Sequence, residues 1–170
     1  FLTIAAAVAA TPVCTTPVRA ALTEWHGIAL GARARILIDH PDAAAITARA
    51  AAEIARLEDI FSLYRADSDL SRLNATGRLD APAFEMLECL ALCGAVNSAT
   101  QGLFDPTVQP LWSLYAESYS AGRAPTAAQI AAAQARTGWA GVSVDADAIR
   151  LRPGMALTLN GVGQGFIADK

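Results

Sequence analysis

Three alternating glycines near the end of the sequence constrain its fold most. Gly161, Gly163 and Gly165 follow a short β-like run at residues 157–159 and open a helix-like segment. Because glycine has no Cβ, such a run lets the backbone approach a phosphate or a metal ion closely. The alternative is a glycine-rich turn that serves packing alone. Either way, we expect a strand, a tight turn and a helix start here.

Two common nucleotide-binding motifs are absent from this segment. Its G-x-G-x-G spacing differs from the G-x-G-x-x-G of dinucleotide-binding folds, and no Gly-Lys-Ser/Thr of a P-loop follows it. His26 and His40 are the only histidines, and neither lies near a G-x-S-x-G motif or a reactive cysteine. The sequence therefore identifies no catalytic residue.

Composition and charge restrict the class of protein. The 170 residues are 54% hydrophobic and 17% charged, which is typical of one globular domain with a substantial core. The net charge is -3 and there is no basic run, so nucleic acid is not an expected partner. No stretch reaches the ~20 apolar residues of a membrane span, so we do not expect the chain to cross a membrane.

The first ten residues resemble the apolar core of an export signal, although they include no initiator Met or basic region. They begin with Phe-Leu, which often follows the arginine pair of twin-arginine signals. The alternative is an ordinary N-terminal helix. We predict that residues 1–21 are the remnant of a twin-arginine or Sec export signal, that the protein is periplasmic, and that mature structure starts near Leu22.

The order of elements predicts an α+β fold, with short strands at both ends and helices between them. Alternating and helical spacings of apolar residues indicate strands at 25–30, 33–39, 142–144, 149–151 and 157–159, and helices at 41–61, 83–100, 110–119 and 126–134.

Residues 61–74 are dense in hydrogen-bonding side chains and follow a buried helix. The local interpretation is that Ser68 and Asp69 cap a short helix. The functional interpretation is that Tyr64 offers a flat ring beside a ligand. The segment by itself favours the cap.

Residues 100–107 form a second polar connection. Asp105 is held extended because it precedes Pro106. A turn with a ring, a carboxylate and a hydroxyl could hold a flavin or a purine. The alternative, which this segment alone favours, is a plain helix-to-helix turn with Phe104 in the core.

Taken together and in this order, these segments resemble the ApbE-type flavin transferases, the FAD:protein FMN transferases. The matching motifs are Ala-Leu-Gly-Ala at 29–32, Phe-Ser-x-Tyr-Arg-x-Asp-Ser-x-Leu-Ser-Arg-Leu-Asn at 61–74, Gly-x-Phe-Asp-Pro-Thr-Val at 102–108 and Gly-x-x-x-Gly-Phe-x-x-Asp at 161–169. The resemblance implies an ApbE-like layered fold, of which residues 22–170 form the N-terminal part.

The resemblance also implies a reaction. A Mg²⁺-dependent enzyme of this family cleaves the pyrophosphate of its substrate FAD and passes FMN to a threonine hydroxyl, releasing AMP. The acceptor would be a flavoprotein subunit of a membrane redox complex. The resemblance assigns flavin-nucleotide contacts to Leu30, Tyr64, Leu103, Phe104, Asp105, Thr158 and Gln164, and a metal-binding backbone oxygen to Gly161.

Several positions depart from the family pattern. Leu30 replaces a methionine, Thr158 replaces an aspartate, and Gln164 replaces a lysine or glutamate. The carboxylate and threonine that complete the family's metal site belong to its second half, so we expect this fragment, truncated at both ends, to be inactive. The pattern around Thr158 resembles the NosX-like branch, which matures the nitrous-oxide reductase electron-transfer system.

Two further hypotheses stay open. Thr158 and Gln164 favour a non-catalytic FAD-binding maturation factor of a periplasmic electron-transfer system. A structural periplasmic domain would bind no flavin at all.

Overall fold

The computed structural model describes residues 22–29 and 31–170, together with the backbone of residues 2–5. The predicted site residue Leu30 and most of the predicted export segment lie outside the described residues. The strands are β1 (Leu2–Ala5), β2 (Thr23–Ala29), β3 (Ala32–Ile38), β4 (Arg78–Asp80), β5 (Val142–Val144) and β6 (Ala148–Leu151). The helices are α1 (Ala43–Phe61), α2 (Asp69–Thr76), α3 (Phe84–Ala99), α4 (Gln109–Ser120), α5 (Ala127–Gln134) and α6 (Gly163–Ala168).

The strands form two small sheets. In the first, β3 lies between β1, which runs parallel to it, and β2, which runs antiparallel. A two-residue connection joins β2 to β3, and Gly31 within it has a φ of +76°, which glycine adopts without strain. In the second sheet β6 lies between β4 and β5, and both pairs are antiparallel. The predicted α+β class is therefore confirmed.

The long first helix begins later than the sequence predicts. We expected Pro41 and Asp42 to open it, but α1 starts at Ala43 with Asp42 as the preceding cap residue. The Asp42 side chain makes no capping bond, and its backbone N–H donates to Nδ1 of His40 at 3.0 Å. Pro41 therefore lies outside the helix, in the turn that leads to it.

The core lies where α1, α2 and α3 pack around β4 and β6. Its members are buried apolar residues: Leu57, Ile60, Phe61, Leu70, Leu73, Leu79, Met86, Cys89, Leu90, Cys93, Ile149, Leu151, Met155, Leu157 and Leu159. The C-terminal α6 joins them through Phe166, whose ring meets that of Phe61 edge-on at 5.5 Å. Within the described ranges, no helix has both the length and the apolar character needed to cross a bilayer.

Cys89 and Cys93 lie one turn apart on α3 and are free and fully buried. The neighbouring Cys93 thiol and burial together raise the pKa of Cys89 above its ordinary range. The two thiols therefore serve as small apolar core residues.

The predicted strand at 157–159 is not a strand. Leu157 and Leu159 are buried while Thr158 between them is partly exposed, which is the alternation that a strand would show. No neighbouring strand pairs with this segment among the described residues. Its backbone is instead bonded by the side chain of Asn74 and by the carbonyl of Pro106.

Candidate functional site

The loop after α1 is organised by the buried Ser62. Its hydroxyl oxygen accepts from the backbone N–H groups of Tyr64 at 3.0 Å and Arg65 at 3.2 Å. Its carbonyl accepts from the hydroxyls of Ser68 at 2.5 Å and Ser71 at 3.1 Å. The loop is therefore fixed to the first turn of α2.

The predicted capping role of Ser68 is confirmed. Ser68 is the N-cap of α2, and its side-chain oxygen accepts from the backbone N–H of Ser71 at 3.1 Å. Asp69 lies in the first helical turn, where a carboxylate interacts favourably with the helix dipole, and it forms an ion pair with Arg72.

Tyr64 presents an exposed ring beside the β2–β3 connection. Its side chain is 66% exposed, and a Cβ added at Gly31 would lie only 2.5 Å from Cε2 of the ring. The ring therefore lies directly against the backbone of Gly31. Capping by Ser68 and ligand contact by Tyr64 are thus compatible, because different side chains of the same loop carry them.

The connection between α3 and α4 is a polar turn with several internal hydrogen bonds. Asp105 is extended, with φ -139° and ψ 109°, as its position before Pro106 predicts. Oδ1 of Asp105 accepts from the backbone N–H of Thr107 at 2.8 Å and from its hydroxyl at 2.7 Å. The fully buried Thr107 hydroxyl also accepts from the N–H of Gly138 at 2.6 Å.

Phe104 belongs partly to the core and partly to the predicted site. Its ring is half-buried and packs against the core cluster. A Cβ added at Gly161 would lie 3.8 Å from Cε2 of this ring, so Gly161 lies close to the ring. The preceding Leu103 is 92% exposed.

The glycine segment approaches the same turn at a second point. The backbone N–H of Thr158 donates to the carbonyl of Pro106 at 2.8 Å. Gly161 and Gln164 are exposed, and a Cβ at Gly165 would meet no described atom within 4 Å. Packing among the described residues therefore does not require glycine at position 165.

Two backbone donors at the start of α6 are used within the chain. The N–H groups of Val162 and Gly163 both donate to the carbonyl of Leu159, at 3.0 and 2.6 Å. Both donors close the turn into the helix, so neither is free to bind a ligand.

The structure thus brings together some predicted site residues. Phe104, Asp105, Thr158 and Gly161 lie in two segments that contact each other, whereas Tyr64 lies on the Gly31 turn. A cleft of about 600 Å³ lies elsewhere, between α2, α4 and residues 151–156. None of the predicted site residues that the structure describes lines this cleft.

Two asparagines that the sequence analysis did not single out join these segments. Asn74 exchanges two hydrogen bonds with the backbone of Leu157, at 2.8 and 2.7 Å. Nδ2 of Asn97 donates to the carbonyl of Phe104 at 2.7 Å. Asn74 ends the motif at 61–74, but nothing in its local pattern indicated a partner so distant in the chain.

The fold matches solved structures of flavin transferases. The flavinyl transferase ApbE of Pseudomonas stutzeri, in its apo form, superposes with a TM-score of 0.77 at 25% identity, covering 91% of this chain and 52% of that one. The ApbE protein of Thermotoga maritima superposes with a TM-score of 0.78 at 24% identity, covering 88% of this chain and 50% of that one. This architecture is that of the flavin transferases.

Sequence comparison identifies the family. The sequence pattern of the ApbE family matches residues 23–170. The chain is 30% identical over 134 residues to an FAD:protein FMN transferase of Klebsiella pneumoniae (strain 342), a match that covers 74% of this chain and 42% of that protein. The chain belongs to the ApbE family. It spans about half, or less, of the length of these relatives.

Proposed function

We propose that the protein containing this chain transfers FMN from FAD to a threonine hydroxyl of a partner flavoprotein. In this reaction the threonine oxygen forms a bond to the FMN phosphorus, the pyrophosphate bond breaks, and AMP leaves while the hydroxyl proton passes to a base or to solvent. Membership of the ApbE family supports flavin transfer in general. The observation that carries the proposal is that the segments holding Phe104 and Gly161 lie together, joined by the hydrogen bond from the Thr158 N–H to the Pro106 carbonyl.

We assign the flavin nucleotide to the surface formed by these segments and by Tyr64. Phe104 and Tyr64 supply aromatic rings, and Asp105 and Thr158 supply polar groups next to them. Oδ1 of Asp105 is engaged by Thr107, which fixes the carboxylate in one orientation. The second carboxylate oxygen is then directed by the same contacts, because the group is planar.

The Mg²⁺ dependence that we propose rests on the family resemblance. Mg²⁺ prefers carboxylate and other oxygen ligands in octahedral geometry. Among the described residues no group of three or more His, Cys, Asp or Glu side chains could hold a metal ion. The residues described here therefore do not form a magnesium site by themselves, and Gly161 contributes at most a carbonyl oxygen.

We further propose that the protein acts in the periplasm on a subunit of a membrane redox complex. The apolar segment at the start of the sequence supports export.

The test is covalent flavin transfer by the full-length protein, with any chain that follows Lys170 included. The protein is incubated with FAD, Mg²⁺ and an acceptor that carries the target threonine, and the denatured mixture is separated on a gel. We expect flavin fluorescence on the acceptor band, and none on an acceptor whose threonine is replaced by alanine. The 170-residue chain alone is expected to transfer none, because its relatives are about twice as long.

The alternative function has a different outcome in the same experiment. An FAD-binding maturation factor would bind FAD without labelling the acceptor. Thr158 and Gln164 are the residues that favour this outcome, because neither carries a charge where the family pattern that the chain resembles has one. Binding without transfer would therefore overturn the transferase and leave the flavin site in place.

A further inference from the structure

We propose that Asn74 is a positioning residue that holds residues 157–161 in place for flavin-nucleotide binding. This inference rests on the proposed function, because the site it serves is the one assigned above. It begins from an unusual pairing: a single side chain on α2 makes both hydrogen bonds to the backbone of Leu157, 83 residues away in sequence.

In this pairing, the Asn74 side chain takes the place of a neighbouring strand. Nδ2 of Asn74 donates to the Leu157 carbonyl at 2.8 Å, and Oδ1 accepts from the Leu157 N–H at 2.7 Å. Neighbouring antiparallel strands exchange the same two bonds at a hydrogen-bonded pair. The amide of Asn74 therefore makes the two hydrogen bonds that a neighbouring strand would make.

The pairing fixes the next residue along the chain. The Leu157 side chain is fully buried, so the segment cannot rotate about its own axis without exposing it. The next residue, Thr158, is only partly buried, and its N–H donates to the carbonyl of Pro106 at 2.8 Å. Asn74 and Pro106 thus hold the segment at two successive residues, and Gly161 follows three residues after Thr158.

Asn74 itself is positioned by the loop that carries Tyr64. Ser71, one turn earlier on α2, donates its hydroxyl to the carbonyl of Ser62, and the Ser62 hydroxyl oxygen also accepts from the N–H of Tyr64. Helix α2 therefore connects the Tyr64 loop, which is bonded to its first turn, to the 157–159 segment, which is bonded to Asn74. Loss of the Asn74 amide would break this connection at one defined point.

Asn74→Asp tests this role, because the aspartic acid side chain has no hydrogen-bond donor when it is ionised and gains an O–H donor when it is protonated. A carboxylate keeps the acceptor for the Leu157 N–H but places a negative oxygen against the Leu157 carbonyl. A protonated carboxyl restores the donor. Since a carboxyl group beside a carbonyl in a half-buried site has a raised pKa, protonation is expected within reach of about pH 5.

In the full-length protein, we expect N74D to bind FAD about tenfold more weakly than the wild type at about pH 7.5, and to regain most of that affinity at about pH 5. Asn74→Ala, which cannot donate at either pH, is expected to stay weak at both. Flavin fluorescence titration measures all of these affinities. Gln134→Glu on the exposed face of α5 is the control for an added carboxyl group, and it should follow the wild type at both pH values.

Other charged groups lie on α2, on the elements packed against it, or around the cleft that Asn74 lines. They are Asp59, Asp69, Arg72, Arg78, Glu117, Arg136 and Arg150. All are present in every variant, so the ratio of variant to wild-type affinity at each pH removes their contribution. The carboxylate introduced in N74D could also weaken binding by repelling the FAD phosphates. The alanine variant distinguishes this effect from loss of the hydrogen bond, because it loses the bond and adds no charge.

Hydrogen exchange at the Leu157 amide is the second measurement. In N74A this amide should exchange faster than in the wild type, whereas the amide of Ile149 in β6 should not change. In N74D it should stay protected, because the acceptor remains. If N74A does not fold, N74D supplies the test through its recovery at low pH.

Wild-type affinity in N74A, or loss in N74D without recovery at about pH 5, would overturn the positioning role. A full-length wild-type protein that binds no FAD would instead count against the proposed function. In that case the exchange rate of the Leu157 amide would still decide whether Asn74 holds the segment.

Discussion

At the scale of single residues, Gly31 and Tyr64 depend on each other. Gly31 has a φ of +76°, and a Cβ there would meet the Tyr64 ring at 2.5 Å. Gly122 has a φ of +69° but no atom within 4 Å of an added Cβ. Substitutions at the two glycines therefore distinguish the cost of backbone strain, which both would carry, from the cost of contact with the Tyr64 ring, which only Gly31 would carry.

We predict that Gly31→Ala and Gly122→Ala each destabilise the chain by about 1 kcal/mol through strain. Gly31→Ala should carry an extra cost that disappears when Tyr64 is also replaced by alanine, with a coupling of about 0.5 kcal/mol or more. Urea unfolding of the two single variants and the double variant measures it. Purely additive costs would show that the ring does not lie on Gly31.

Tyr64 also carries the flavin prediction at this scale. Because aromatic stacking contributes about 0.5–1.5 kcal/mol beyond buried area, Tyr64→Ala should weaken FAD binding by up to about tenfold. Tyr119→Ala is the matched control, since Tyr119 is similarly exposed, at 65%, on α4. If a fluorescence titration gives the two variants equal affinities for FAD, Tyr64 does not belong to the flavin site.

At the scale of elements, Thr107 joins the α3–α4 turn to the loop that precedes β5. We predict that Thr107→Val destabilises the chain by about 1–3 kcal/mol, because it leaves the Gly138 N–H without its acceptor. Thr107→Ser keeps the hydroxyl and should lose only about 0.8 kcal/mol for the missing methyl group. Chemical denaturation compares them, and a serine variant as unstable as the valine variant would contradict the hydrogen-bonding role.

An ion pair between α1 and α3 gives a pH-dependent prediction. Nη2 of Arg56 lies 2.6 Å from Oε1 of Glu85. The Glu85 carboxylate accepts a hydrogen bond from the Glu85 backbone N–H and another from the Arg56 guanidinium. Both lower the pKa of Glu85 in the folded chain. Because the folded pKa is the lower one, this stabilisation is present above the ordinary glutamate pKa and is lost as the pH falls through the folded value.

Glu85→Gln should therefore destabilise the chain near pH 7, by at most about 1 kcal/mol for a pair that is partly exposed to solvent. The difference from wild type should shrink as the pH falls below about 4. Thermal unfolding across this range measures it, with Glu117→Gln on α4 as the control. A difference that grows towards low pH would have the wrong sign for this pair.

Sequence patterns predicted helices and strands correctly where residues close together in the sequence determine them. The helical spacing of Leu57, Ile60 and Phe61 predicted α1, and the hydroxyl of Ser68 predicted the start of α2. The limits appear at residues 157–159, where alternation predicted burial correctly but could not reveal that a side chain replaces the neighbouring strand. The exact start of α1 was also missed, because His40 engages the cap residue that the pattern assigned to the helix.

At the scale of the whole molecule, the site depends on contacts that no local pattern encodes. Thr107 and Gly138 are 31 residues apart, and Asn74 and Leu157 are 83 apart. The family resemblance indicated which segments matter, and the fold explains how two of them meet. The roles of the predicted site residues, including Leu30 and Gln164, stay predictions.

The central claim is that three distant segments form one flavin-nucleotide site, and hydrogen exchange with and without FAD tests it most directly. We predict that FAD slows exchange together in residues 61–74, 103–107 and 157–165, while α5 and the β5–β6 hairpin do not change. Protection confined to one of these segments, or centred on the cleft between α2 and α4, would contradict the account.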